Sequence, residues 1–117
     1  MVRIERVNQL INREISSMIQ RDIRDPRLEF VTITGVSVSK DLRYAKISFS
    51  ALGTNEQIHS AQDALNGARG FIRKLIGQRV HIRYTPEIEF VYDRSLESSA
   101  RIEETLNEIK RQSEKLL

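Results

Sequence analysis

Between Ala64 and Pro86 the chain carries Arg69, Arg73, Lys74, Arg79 and Arg83 and no Asp or Glu, with glycines at 67, 70 and 77 set among the cations. Basic side chains without intervening acids attract a polyanion, and glycines let a phosphate approach backbone amides, so phosphate binding is the chemistry these residue types suggest. Arg43 and Lys46 form a second, smaller basic group. Gly67-Ala68-Arg69-Gly70 also spells GxxG, the loop with which KH domains clamp a nucleic-acid backbone. The same letters permit a solvated charged helix face, and two glycines three apart permit close helix packing. On spacing alone both readings stay open.

Catalytic chemistry has little to work with. The chain has no cysteine, and its two imidazoles, His59 and His81, stand in no metal-ligand spacing. Glu87 and Glu89 share one parity of a strand, where balancing the adjacent basic region is their expected role. Ser95, Ser98 and Ser99 lack a recognisable base or oxyanion context, and there is no phosphate-binding P-loop. The expectation is a protein with no catalytic residues, no metal and no cofactor.

The elements that must position the basic cluster can be read from periodicity. Ile58, Ala61, Leu65, Ala68, Ile72, Leu75 and Ile76 keep helical steps straight through Gly67 and Gly70. Each glycine costs a helix interior about 0.5–1 kcal/mol, so a bend is expected between Leu65 and Ile72. Thr54 or Asn55 is its N-cap. Ahead of it, a stripe from Ile4 to Ile23 predicts a helix over about 2–24, stopped by Pro26 in "RDPRL", with Asp22 and Asp25 in local turn bonding. "FVTITGVSVS" alternates like a strand whose phase flips at Gly35, which predicts a β-bulge there. "YAKISFSA" puts Ala45, Ile47, Phe49 and Ala51 inward and completes a hairpin. From Arg79 to Tyr92 a period of two predicts a third strand, with Val80, Ile82, Tyr84, Ile88, Phe90 and Tyr92 on one parity and Pro86 at an edge or a break. The fold class is α+β, a three-stranded sheet covered on one face by helices.

Charge divides along the chain. Residues 1–86 hold 14 Lys and Arg against 8 Asp and Glu, whereas residues 87–117 hold 5 against 8. A basic body fits a polyanionic partner, and an acidic end steers away from it. With no signal-like segment and no apolar run of spanning length, a cytoplasmic protein without a membrane partner is expected.

The segments "IQRDIRDPRLEFVTITGVSVSKDLRYAKI", "ARGFIRKLIGQRV" and "PEIEFVYDRS", in this order and spacing, resemble the ribosome-binding factor A family, bacterial assembly factors of the small ribosomal subunit. With the opening helix they cover most of residues 1–95. The resemblance implies a type II KH-like domain over residues 1–93, in the order α-β-β-α-kink-α-β, followed by a C-terminal helical extension over 94–117. It also implies an Ala-x-Gly kink in place of the GxxG loop, carried here by Ala68, Arg69 and Gly70. Function follows by implication: noncatalytic binding to immature small subunits and their rRNA, assisting late maturation and rRNA end processing, especially in the cold. A generic single-stranded nucleic-acid binder is the alternative, and a protein-interaction module using the acidic C-terminal helix is a third class. The expected RNA contacts are Ala68, Arg69, Gly70, Arg73, Lys74, Arg79 and Arg83, with Arg43 and Lys46 on the hairpin as secondary candidates. The free protein is expected to be a monomer. Ile102, Leu106, Ile109 and Leu116 recur at helical spacing, and docking of that helix on the domain is the first expectation for it.

Overall fold

The apolar stripe of the first segment folds into helix α1 (Ile4–Ser17), which turns Val7, Ile11 and Ile15 inward. The computed structural model describes residues 3–95. The α-helix stops short of the expected residue 24 because the chain widens into a π turn over Met18–Asp22, closed by the Ile23 amide donating to the Met18 carbonyl at 2.8 Å. The wider turn accommodates one more residue, so the neighbours Met18 and Ile19 are both buried. Asp25 is extended, as a residue before proline must be, and its carboxylate caps the 3-10 turn Pro26–Leu28 by accepting the Arg27 amide at 3.0 Å.

Strands β1 (Val31–Val38) and β2 (Tyr44–Ala51) form the antiparallel hairpin. The register shifts between Ile33, opposite Phe49, and Gly35, opposite Ser48. This is the predicted bulge, and it brings Val31, Ile33, Val36 and Val38 all against the core. Gly35 keeps an ordinary negative φ; the bulge does not use the left-handed angles that glycine allows, and Gly53 is the described glycine with positive φ. At the hairpin turn it is Leu42 that takes a left-handed φ of 62°. A non-glycine residue there costs about 1 kcal/mol or more, and Leu42 offsets the strain by packing its side chain on the core.

Thr54 caps helix α2 (Asn55–Gly67) through a full capping box: its hydroxyl accepts the Gln57 amide and the Gln57 side chain accepts the Thr54 amide. Helix α3 (Arg69–Arg79) follows, and the chain returns as β3 (Glu87–Tyr92), parallel to β2, giving the sheet order β1-β2-β3. The third strand is therefore shorter than its alternation suggests. Residues 80–86 leave the sheet, since Pro86 has no amide hydrogen for a ladder; it is buried, and pairing begins at the next residue. Tyr84, assigned by parity to the interior, is 41% exposed in this connection.

One core joins the layers. Phe49 and Ile47 of the central strand meet Ile11 and Ile15 of α1, Leu65 of α2 and Ile72 and Ile76 of α3, all fully buried, and Tyr92 closes edge-on against Phe49 at 5.7 Å. Lys46, Glu87 and Glu89 stand on the opposite, exposed face of the sheet. This is the α-β-β-α-kink-α-β arrangement of a KH-like domain. Among the described residues no helix is long and apolar enough to cross a membrane. Asp93 accepts the Ser95 amide at 2.9 Å, and the expected C-terminal helix and its docking lie outside the described residues beyond that point.

Candidate nucleic-acid interface

The bend between α2 and α3 is made by one residue. Ala68 sits at φ −90°, ψ −2°, between the helical and extended regions; its amide still donates to the Ala64 and Leu65 carbonyls at 3.1 Å, and its own carbonyl accepts the Ile72 amide at 2.9 Å. Hydrogen bonding passes through the bend almost intact, so the segment is a kinked helix and not an inserted GxxG loop. Ala68 packs against the core as the pivot. A Cβ at Gly67 or at Gly70 would meet nothing within 4 Å, so neither glycine serves close helix packing.

On α3, Gly70, Arg73, Lys74 and Gly77 share one face by their spacing of three and four. With Thr85 they line a groove of about 340 Å³. Its floor is bare at Gly70, Thr85 closes it over Gly77, and Arg73 and Lys74 lie between. Arg73 reaches across it, donating to the Thr85 carbonyl at 3.2 Å and lying 3.3 Å from the Glu87 carboxylate, both ends of the contact being solvent-exposed. The Lys74 and Arg69 side chains are exposed and have no ion-pair partner among the described residues. Exposed cations beside the open position at Gly70 can take a phosphate there, with Arg73 exchanging its exposed contact to Glu87 for it. A roomier hollow of about 630 Å³ beside Phe30 and Leu52 lacks this chemistry, since its arginine, Arg27, is held by Asp25 at 2.8 Å.

Residues 3–106 match the ribosome-binding factor A family. The chain belongs to this family. A ribosome-binding factor A from Acetivibrio thermocellus is 48% identical over 114 residues, covering 97% of this chain and 93% of its own length. The crystal structure of ribosome-binding factor A from Thermus thermophilus superposes with a TM-score of 0.72 at 26% identity, over 80% of this chain and 100% of that one. A homology model of Thermus thermophilus ribosome-binding factor A, as fitted into a cryo-EM map of a 30S–RbfA complex, superposes with a TM-score of 0.62 at 29% identity, over 74% and 91% of the two chains.

In this member of the ribosome-binding factor A family the expected contact residues do not all converge. Ala68, Arg69, Gly70, Arg73 and Lys74 lie together along the kink and the first turns of α3. Arg79 does not join them: its guanidinium turns to α1 and the π turn, 2.9 Å from Asp22 and 3.7 Å from Glu14, which raises its pKa further and makes it a pin between helices. Asp22, expected in a local turn, is thus engaged over a long range. Lys46 is on the open face of the sheet opposite Ser37 and Glu89, in a shallow groove edged by Glu87 and Glu89, which is poor ground for phosphate. Arg43 and Arg83 meet instead at Tyr84, their guanidinium carbons 5.2 and 5.3 Å from the ring centroid. Thr85 is the groove residue that sequence reasoning missed, because alternation assigned it to a strand that begins only at Glu87. Neither histidine converges on a metal site: His59 pairs loosely with Asp63 at 3.7 Å, and the described residues contain no group of three potential ligands.

Proposed function

We propose that this chain is a noncatalytic assembly factor that binds immature small ribosomal subunits through the α3 groove, placing rRNA phosphates against Gly70, Arg73 and Lys74, with Arg69 at the kink. It assists late maturation and rRNA end processing, chiefly in the cold, and acts as a monomer with no membrane partner. The observation that carries this reading is the kink at Ala68, which presents a glycine-bare, cationic helix face in a chain of the ribosome-binding factor A family. The fitting of a Thermus thermophilus relative into a 30S complex supports the choice of subunit.

Co-sedimentation of the full chain with immature and mature small subunits is the test. Binding should favour the immature particles. Replacing Arg69, Arg73 and Lys74 together by glutamine should weaken binding and flatten its dependence on log salt by about 0.7–0.9 per lost phosphate contact, with the fold retained. Unchanged affinity and slope would reduce this face to a solvated helix surface. Equal binding to any single-stranded RNA would favour a generic binder.

A further inference from the structure

Tyr84 is not accounted for by the groove described above. Its ring is 41% exposed on the 80–86 connection, one residue from Thr85, which forms the groove wall. Arg43 approaches it from the hairpin turn and Arg83 from its own connection, both more than 5 Å from the ring centre. The Arg43 carbonyl accepts the Glu87 amide at 2.8 Å, which ties the hairpin turn carrying Arg43 to the start of β3. Both guanidiniums lie within cation–π range, yet the exposed ring keeps accessible π surface, and guanidinium planes stack on bases as aromatic rings do.

We propose that Tyr84, flanked by Arg43 and Arg83, is the stacking platform for one unpaired base of the RNA whose backbone lies in the α3 groove. The inference rests on the RNA-binding reading of that groove and specifies its ligand as single-stranded. A nucleotide joins a planar base to a phosphate, and the chain carries this planar cationic platform on the residue next to the groove-lining Thr85. A base inside a duplex has no free face to offer, so the contacted segment is unpaired.

The test is titration of immature small subunits, and separately of protein-free small-subunit rRNA, with full-length Tyr84→Ala, Tyr84→Leu, Tyr84→Phe and Tyr84→Trp, each checked for folding by thermal melting. Tyr84→Leu keeps apolar bulk over the connection while removing the π face, so it guards against a folding defect in Tyr84→Ala, and Tyr84→Phe removes the hydroxyl alone. Tyr84→Leu should bind about tenfold more weakly with an unchanged salt slope, while Tyr84→Phe and Tyr84→Trp keep the affinity. The same loss is expected on protein-free rRNA. Leucine binding as well as tyrosine would make the ring a staple for the connection and overturn the proposal; a loss confined to subunits would assign it to a ribosomal protein and overturn it equally. If the unaltered chain bound neither probe, the RNA reading of the groove would fall and the platform with it, an outcome distinct from loss of the platform alone.

Discussion

Gly70 and Gly77 lie on one face of α3 and differ in what surrounds them. A Cβ at Gly70 meets open space, whereas at Gly77 it would come within 3.0 Å of the Thr85 hydroxyl. Gly77 is inside the helix with no positive φ, and its lack of a side chain serves the close approach of the 80–86 connection. Gly70→Val should leave stability within about 0.5 kcal/mol, because valine is no worse than glycine in a helix, yet block the groove and reduce association with small subunits. Gly77→Val should destabilise by about 1–2 kcal/mol through overpacking. Melting temperatures and subunit co-sedimentation of the two variants separate the effects. If Gly70→Val bound normally while folded, the glycine would have no part in recognition.

At the scale of elements, legibility followed the strength of the local signal. The capping box at Thr54 and Gln57, the bulge after Ile33 and the inward set Ala45, Ile47 and Phe49 were readable because each depends on neighbours in sequence. Periodicity alone marks the kink only as a bend between Leu65 and Ile72, and the resemblance puts it at Ala68-Arg69-Gly70; in the structure Ala68 is the residue that turns, keeping its backbone bonds while packing on the core. The failures share a physical cause. Alternation cannot show where a ladder ends, so Tyr84 was placed inside; and the partner of Arg79 lies 57 positions away, beyond any local pattern. The pin between α3 and the π turn yields a prediction that opposes the sequence reading of Arg79. Arg79→Gln should lower the melting temperature and leave the salt slope of subunit binding unchanged. A flattened slope in the folded variant would return Arg79 to the phosphate contacts.

For the whole molecule, the same carboxylates that close the chain's turns set its tolerance of acid. Asp25 ends the α1 segment, held below the usual carboxylate range by the Arg27 side chain and amide; Asp41 closes the β1–β2 turn, lowered by the Ser39 hydroxyl at 2.6 Å and the Arg43 amide; Asp93 follows β3, lowered by Ser95. A carboxyl whose folded pKa lies below its unfolded value favours the fold at every pH above the unfolded pKa, and that contribution disappears as pH falls toward the folded pKa. Stability should therefore be flat from neutral pH to about pH 5 and decline below about pH 4. Asp25 depends first on an ion pair that salt screens, whereas Asp41 depends on a hydroxyl and an amide, which salt leaves in place. Thermal melts of Asp41→Asn against the unaltered chain should accordingly differ at pH 7 and converge in acid, at low and high salt alike. A gap that stays constant down to about pH 2 would show that Asp41 supports the hairpin turn by shape, with no share in the protonation-linked stability of the fold.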